Sequence, residues 1–373
     1  MESPETRIRS LKQEARTLLL DWEDGHRSTF HFIWLRDNCP QSRHPESDQR
    51  WLNPTSLPAD IHPESTRIDA EQRLEIVWSH GGHVSRFEPS WLREHCYSEE
   101  RVPRRPTLWD ASLASRLPEA EYQAFSKDTP VLCDWLQRFR AHGFAVLRGV
   151  PPRTEGLEAV VERLNGIFWV PWWASRIEDV IVNERDDLFV AFTNEPLFPH
   201  CDDAYLDPGP QLTLLHCLVN DAQGGESTLV DGFKLATDLR EEAPEKFELL
   251  AKHRIRHRNR AEDRDYIKDA PLIQLDARGE IQRIRRSNQS IQPFHLPVDE
   301  MERYYDAYCT FFRMAESDAY RLCFRLEPGD LYMVDNCRML HGRKGFEAGR
   351  TRHFQSCYID RDGPMSLLAV LER

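Results

Sequence analysis

The chain has 373 residues, enough for two or three domains with sizeable cores. Apolar residues make up 40% and charged residues 30% of it, which excludes collagen-like, low-complexity and wholly disordered proteins. The 49 basic and 62 acidic residues give a net charge of −13, which opposes nucleic-acid phosphates, so we expect no nucleic-acid partner. No stretch has the ~20 apolar residues of a membrane span, and no signal-peptide core begins the chain. We therefore expect a cytoplasmic protein without a membrane partner.

The N-terminal part contains an internal repeat. Residues 17–39 and 73–96 share, in the same order, a Trp, a Gly, a His, a Ser, a Phe, the tripeptide Trp-Leu-Arg and a Cys. Each copy alternates apolar and polar residues around an Asp-Gly or Gly-Gly turn, which is typical of a β-hairpin. A stretch with Pro and Arg but no apolar periodicity, 97–115, follows the second copy. We therefore predict a small β-rich N-terminal domain over 1–105 and a second domain over 106–373.

Short strands and helices follow one another in the second domain without regular βαβ alternation. This order is typical of an antiparallel β core wrapped by helices, so we predict a mixed α/β (α+β) fold. The predicted helices lie around 133–143, 155–168, 233–253 and 298–315. The predicted strands lie at 144–150, 188–194, 211–219, 226–233, 330–342 and 351–360, with a hairpin over 271–287.

Four residues of the second domain have the chemistry of a metal and carboxylate site. His200 and Asp202 are two apart, so an extended segment would place both side chains on one face. His341 would complete a two-histidine, one-carboxylate face with open coordination positions, which is the ligand set of non-haem Fe(II) oxygenases. Arg352, eleven residues later, offers a planar fork that binds a carboxylate through two hydrogen bonds. In this order the set indicates an iron site beside an oxo-acid site.

These residues lie in motifs that resemble the γ-butyrobetaine hydroxylase family of Fe(II)/2-oxoglutarate dioxygenases, within the taurine-dioxygenase-like group. The matching segments are WLRDNCP at 34–40, GGESTLVDGF at 224–233, DNCRMLHGR at 335–343 and RHFQSCY at 352–358. They span nearly the whole chain in the order that the family has them.

The resemblance implies a double-stranded β-helix (jelly-roll) catalytic core with helical insertions. It implies that His200, Asp202 and His341 bind iron, that Arg352 binds the distal carboxylate of 2-oxoglutarate, and that Ser227 occupies a co-substrate position. The implied requirements are Fe(II), 2-oxoglutarate, O₂ and ascorbate as reductant. We expect hydroxylation of a small amine- or betaine-like molecule, with succinate and CO₂ as co-products, by a homodimer.

The N-terminal domain departs from the family's zinc motif. By the resemblance, members hold zinc through Cys-x-Cys-x-x-Cys and a distant His. Here Cys39 is retained, Gln41 stands at the second cysteine, His44 lies at or near the third, and His83 matches the distant histidine. Structural zinc is almost always closed by four protein ligands, and Cys39, His44 and His83 are three. We therefore do not expect zinc in this domain.

The substrate pocket also departs from the family's pattern. By the resemblance, an aromatic cage binds a trimethylammonium group and asparagines bind the substrate carboxylate. Phe192 stands at the position of a cage tyrosine of the family, and Phe189 lies near the position of one of the family's asparagines. We therefore expect γ-butyrobetaine to be a poor substrate or none. The predicted pocket residues are Phe192, Tyr358, Trp172 and Trp173, with Asn288 and one of Arg285 or Arg286 at the polar end.

Two functions other than hydroxylation are alternatives for this sequence. The same iron site would support a 2-oxoglutarate-dependent desaturase, cyclase or rearrangement enzyme of natural-product biosynthesis. The second alternative is a non-catalytic β-helix protein that senses a ligand. The complete metal face together with Arg352 argues against a purely sensing role.

Overall fold

The computed structural model describes residues 7–98, 105–171, 173–181, 192–347 and 349–373. The chain divides into two compact units, Met1–Arg104 and Arg105–Arg373. No helix in these described ranges is both long and apolar enough to cross a membrane.

The first unit contains two small antiparallel sheets, each followed by a short helix. Both repeat copies form the two strands of a hairpin and then a short helix, which sequence analysis did not predict, and each sheet has an earlier strand that the repeat does not include. The elements are β1 (Ile8–Gln13), β2 (Thr17–Trp22), β3 (Arg27–His31), α1 (Phe32–Asp37), β4 (Pro63–Ile68), β5 (Leu74–Trp78), β6 (Val84–Phe87) and α2 (Pro89–Glu94).

The two copies stabilise their cores with the same hydrogen bond. Trp22 is fully buried in β2 and donates its indole N–H to Ser28 Oγ at 2.9 Å. Trp78 is fully buried in β5 and donates to Ser85 Oγ at 2.8 Å. A buried indole needs an acceptor for its N–H group, so the Trp and Ser of each copy form one structural unit.

The second unit is built from strands with helices around them. Its strands are β7 (Glu119–Glu121), β8 (Phe144–Arg148), β9 (Glu178–Ile181), β10 (Leu197–His200), β11 (Leu212–Asn220), β12 (Ser227–Asp231), β13 (Arg254–Arg260), β14 (Asp265–Pro271), β15 (Ile273–Leu275), β16 (Ile281–Ile284), β17 (Leu322–Phe324), β18 (Leu331–Asp335), β19 (Met339–Arg343) and β20 (Arg352–Ile359). Its helices are α3 (Tyr122–Lys127), α4 (Thr129–His142), α5 (Thr154–Arg163), α6 (Gly232–Glu242), α7 (Pro244–Lys252), α8 (Val298–Glu316) and α9 (Asp362–Leu371).

Two sheets organise this unit. Among the described residues, the larger sheet has the strand order β7-β8-β18-β11-β20-β9 and the smaller has the order β10-β19-β12-β17. One hydrophobic cluster combines Phe144, Tyr332 and Phe354 of the larger sheet with Leu229 and Met339 of the smaller. Alternation along the strands therefore gives both sheets an inner face that shares this core.

Helices cover the outer faces. Apolar residues of α4, α5 and α9 pack with Leu212 and Leu214 of the larger sheet. Residues of α6, α7 and α8 pack with Val230 and Leu340 of the smaller sheet. Sequence analysis predicts this mixed α/β arrangement.

Some element boundaries differ from the predictions. The helix predicted over 233–253 is two helices, because Pro244 has no N–H group and Ala243 before it leaves helical geometry. In the strand predicted over 188–194, residues 188–191 lie outside the described ranges and 192–194 are not extended. The hairpin β13–β14 was not predicted, because its strands pair exposed arginines with aspartates, as in Arg256–Asp269, and show no apolar alternation.

One buried histidine makes the fold sensitive to acid. His257 of β13 is fully buried, and its Nδ1 lies 2.9 Å from Ser290 Oγ. Burial, with a smaller effect of the Arg285 charge, lowers the pKa of His257 from 6.5 to about 4. The unfolded chain therefore binds a proton between pH 6.5 and pH 4 that the folded chain does not bind, and the free energy of unfolding falls as the pH is lowered.

We predict that His257→Gln reduces this acid sensitivity. Between pH 7 and pH 4 the wild type should lose about 3 kcal/mol more unfolding free energy than the variant. Urea titrations across this range measure the difference. The exposed His62 supplies the control, since His62→Gln should follow the wild type. Parallel pH curves for wild type and His257→Gln would contradict the prediction.

Candidate active site

Strand pairing brings the two histidines together. In the smaller sheet β10 runs antiparallel to β19, and His200 is directly opposite His341. Their ring centroids are 4.5 Å apart. The extended segment ends at His200 and the chain then turns, so strand alternation does not place Asp202 beside His200 as the sequence argument assumed.

Hydrogen bonds with Asn336 fix the position of Asp202 instead. The Asp202 backbone N–H donates to Asn336 Oδ1 at 2.7 Å, and the fully buried Asn336 amide donates back to Asp202 O at 3.1 Å and to Pro210 O at 3.0 Å. Thr213 donates its hydroxyl to Asp202 Oδ2 at 3.0 Å. The other oxygen, Oδ1, lies 3.5 Å from His200 Nε2 and 3.3 Å from His341 Nε2. Sequence analysis gave Asn336 and Thr213 no role, although Asn336 lies in the DNCRMLHGR segment.

The three side chains form a ligand set for one metal ion. Their ligand atoms lie within 4.8 Å of one another, and this is the only such group of three or more in the described part of the chain. His200 Nδ1 lies 2.9 Å from the Phe198 carbonyl, which can only accept, so Nδ1 carries the proton and Nε2 is left to bind metal. Two imidazoles and one carboxylate on one face suit non-haem iron.

Electrostatics favours the metal-binding forms of Asp202 and His200. Burial alone would raise the pKa of Asp202, but the His341 charge and hydrogen bonds from both histidines hold it well below its ordinary value. Burial and the His341 charge lower the pKa of His200. Asp202 is therefore a carboxylate and His200 a neutral imidazole at neutral pH, as metal coordination requires.

Arg352 begins β20 as a buried cation. It is 4% exposed, and its guanidinium lies 3.9 Å from the ring centre of Phe354 and 5.3 Å from that of Phe346. Its Nε has no hydrogen-bond partner among the described residues. Burial lowers the Arg352 pKa to about 10, so the group stays charged at neutral pH. A buried guanidinium with an unpaired donor fits an anionic group such as a carboxylate.

A second buried arginine, which sequence analysis did not identify, lies near the first. Arg343 of β19 donates to the carbonyls of Thr193 and Glu195, and its guanidinium lies 5.1 Å from the Phe346 ring centre. Burial and then the Arg352 charge lower its pKa to about 10. Ser227 of β12 is 2% exposed and is the direct strand partner of Arg343. Partners in antiparallel strands share a face, so Ser227 lies on the Arg343 side of the smaller sheet.

The predicted aromatic pocket residues lie in different surroundings. Tyr358 of β20 is the strand partner of Thr213, whose hydroxyl donates to Asp202, so this tyrosine lies near the metal ligands. Burial and then the Asp202 charge raise the pKa of Tyr358. Trp173 lies 4.7 Å from the Tyr266 ring at the β13–β14 hairpin. Phe192 is half-buried. Phe189 and Trp172 lie outside the described residues.

The three residues predicted for the polar end of the substrate pocket have different surroundings. Asn288 is exposed and lines one cavity together with His200 and Arg286. The Arg286 guanidinium pairs with Glu316 at 3.1 Å and lies 3.8 Å from the Phe312 ring centre. Arg285 donates to the carbonyls of Ala204 and Leu206 at 3.1 and 3.2 Å, which supports the loop that follows the metal ligands.

That loop contains an acidic residue which sequence analysis passed over. Asp203 accepts a hydrogen bond from the Tyr205 hydroxyl at 2.6 Å. Burial raises the pKa of Asp203 to about 7. The Tyr205 hydrogen bond opposes this effect, and the charges of Asp202 and Glu178 add to it. The only sequence signal was a second acidic residue next to the H-x-D motif.

The zinc candidates of the first unit do not assemble into one site. Cys39 Sγ lies 3.1 Å from His83 Nε2 and 3.3 Å from Gln41 Oε1. The Gln41 amide also donates a hydrogen bond to the Arg86 carbonyl and accepts one from the Arg86 backbone N–H. His44 Nδ1 instead accepts from the N–H groups of residues 46 and 47. A thiol, an imidazole and an amide that is already bonded do not fit a structural zinc site.

Comparison with known proteins agrees with this site. Residues 106–358 match the family described as "Taurine catabolism dioxygenase TauD, TfdA family", and 9–85 match "Gamma-butyrobetaine hydroxylase-like, N-terminal". The chain is 37% identical to the gamma-butyrobetaine dioxygenase of Pseudomonas sp. (strain AK-1), covering 94% of this chain and 93% of that one. It is 30% identical to the trimethyllysine dioxygenase of Meyerozyma guilliermondii, covering 94% and 92%.

The site and these matches define an Fe(II)- and 2-oxoglutarate-dependent dioxygenase with O₂ as co-substrate, whose metal-binding triad is His200, Asp202 and His341. The chain belongs to the TauD/TfdA dioxygenase family. Sequence analysis predicted this family and its iron triad.

We predict that Arg352 sets the affinity for 2-oxoglutarate. Arg352→Lys and Arg352→Ala should weaken binding at least about thirtyfold, because a buried bidentate charge pair is worth ~2–5 kcal/mol. Calorimetric titration of 2-oxoglutarate into the Mn(II)-loaded protein measures this. Arg140→Lys, at a half-buried arginine paired with Glu372, is the control. Wild-type affinity in both Arg352 variants would show that another residue binds the co-substrate.

Proposed function

We propose that this dioxygenase hydroxylates an unactivated C–H bond of a small amine- or betaine-like metabolite. The observation that carries the proposal is the buried Arg352, whose Nε has no hydrogen-bond partner among the described residues, together with the His200–Asp202–His341 triad. The names of the two relatives add support, since gamma-butyrobetaine and trimethyllysine are both small quaternary amines.

Iron and 2-oxoglutarate, when bound, would supply the oxidising power: one oxygen atom of O₂ would enter the succinate that is formed with CO₂ from 2-oxoglutarate, and the other would enter the substrate. The protein positions the reactants. We assign the distal carboxylate of 2-oxoglutarate to Arg352, with Ser227 nearby. Arg343 holds the 193–195 segment through two carbonyls, close to this position. Asn336 and Thr213 keep Asp202 oriented while ligands exchange.

The two sheets support a more specific assignment of the fold. We infer that they form a double-stranded β-helix, with the triad on the smaller sheet and the loop after β10, and Arg352 on the larger sheet. We likewise infer that 106–373 is the dioxygenase domain and 1–105 a separate β-rich domain. The homodimer and the cytoplasmic location stay predictions.

The substrate should occupy the side of the metal site where Tyr358 lies. We infer that Tyr358, Trp173 and Phe192 form an aromatic wall and that Asn288 lies at the polar end. Arg286 and Arg285 are engaged with Glu316 and with loop carbonyls, so we assign them to support of the pocket rather than to the substrate. Phe189 and Trp172 stay expectations from the sequence.

We predict that amines drive succinate formation by the purified protein with Fe(II), ascorbate and 2-oxoglutarate. In a panel of amines, betaines and amino acids, at least one should raise the succinate rate and give a product that carries one added oxygen atom. γ-Butyrobetaine should be poor, because Phe192 lacks a phenol hydroxyl and Phe189 cannot donate to a carboxylate.

Mass spectrometry of the products separates the outcomes. A product that lacks two hydrogens would favour a desaturase or cyclase. Carnitine as the fastest product would show that the pocket substitutions have been over-interpreted. No stimulation by any amine or betaine would contradict the proposed function.

A further inference from the structure

Thr213 of β11 connects the larger sheet to a metal ligand. Its hydroxyl donates to Asp202 Oδ2 at 3.0 Å, and the residue is 3% exposed. The strand β11 is paired on both sides, with Val334 of β18 and Tyr358 of β20 directly opposite Thr213. A β-branched side chain has few rotamers, and here its backbone is held by two neighbouring strands. The hydroxyl is therefore a fixed donor.

The two oxygens of the Asp202 carboxylate have different partners. Oδ1 is the oxygen that faces the histidines, at 3.5 Å from His200 Nε2 and 3.3 Å from His341 Nε2. Oδ2 is the oxygen that accepts the hydrogen bond from Thr213. The carboxylate therefore offers Oδ1 to a metal bound by the two histidines, and keeps Oδ2 in a hydrogen bond to the larger sheet.

The hydrogen bonds of Asn336 do not decide which oxygen faces the histidines. They join the Asp202 backbone N–H and carbonyl, and so fix the main chain of the turn. The last torsion of an aspartate side chain lies between an sp³ and an sp² carbon and has broad minima. Rotation about this bond would bring both oxygens toward a metal unless a side-chain contact opposed it. Thr213 supplies that contact.

The number of Asp202 oxygens on the metal sets how many coordination positions stay open. An octahedral metal that binds two imidazoles and one carboxylate oxygen keeps about three positions open. A chelating 2-oxo acid takes two of them, which leaves one for O₂. Carboxylates also bind metals through both oxygens, and a second oxygen from Asp202 would fill that last position.

We propose that Thr213 is a positioning residue that limits Asp202 to one metal-binding oxygen and so keeps a coordination position open for O₂. It acts through Asp202 rather than on a reactant. Loss of a hydrogen-bond partner of a metal ligand generally lowers metal affinity or activity. Here the geometry predicts that the metal stays bound and loses an open position. The inference concerns the metal site and holds for any class of substrate.

Counting the water molecules on bound Mn(II) tests the proposal without a substrate. The relaxation rate of water protons per bound Mn(II) rises with the number of waters that the ion holds, and is measured with and without 2-oxoglutarate. Thr213→Val keeps the shape of the side chain and removes its hydroxyl. It should bind Mn(II) at least as tightly as wild type. The relaxation rate should nevertheless fall by about one third without 2-oxoglutarate and at least about twofold with it.

Two further variants make the result specific. Thr213→Ser retains a hydroxyl at this position and should restore the wild-type relaxation rate in both states. Thr228→Val is the matched control. Thr228 of β12 is 2% exposed and lies opposite Gly342, next to His341, and its hydroxyl has no hydrogen-bond partner among the described residues. This variant should relax water protons like wild type.

The assignment falls if Thr213→Val gives the wild-type relaxation rate, if Thr213→Ser behaves like Thr213→Val, or if Thr228→Val lowers the rate equally. A folded Thr213→Val protein that binds Mn(II) more weakly than wild type also contradicts it, because Thr213 would then hold the ligand set together rather than limit it. If Thr213→Val does not fold, Thr213→Ala replaces it under the same criteria.

Discussion

The active site depends on the pairing of β10 with β19. This pairing sets His200 opposite His341, and the Asn336 hydrogen bonds then fix the turn that presents Asp202. Backbone hydrogen bonds thus pair two strands that are distant in sequence, and each strand supplies one histidine ligand. One buried amide, that of Asn336, positions the third ligand. A shift of one residue in the register would move either histidine to the other face of the sheet and abolish the ligand set.

Charge divides the site into two regions. Arg352, with Arg343 near it, makes one region positive, and the carboxylate of Asp202 with its two histidines forms the other. A dianionic co-substrate would therefore enter a site in which one region is already positive and the other is ready to hold the metal. Orientation by fixed charges costs little reorganisation when the reactants bind, which favours ordered oxidation at one carbon.

The sequence was most informative where chemistry depends on residue type. The triad and Arg352 could be named because few chemistries use two histidines, a carboxylate and an arginine in that order. The strand register and the hydrogen bonds of Asn336 could not be predicted, since each depends on contacts between distant segments. The break at Pro244 was visible in the sequence, but apolar periodicity outweighed it in the helix prediction.

Metal stoichiometry tests the central claim most directly. Wild-type protein should bind one Mn(II) per chain, detected by the loss of the free-ion electron paramagnetic resonance signal. Asp202→Ala and His341→Ala should each weaken binding at least tenfold, since a facial site of three protein ligands loses one third of its donors. Cys39→Ser, in the other unit, should bind like wild type. Equal Mn(II) affinity in wild type, Asp202→Ala and His341→Ala would contradict the account.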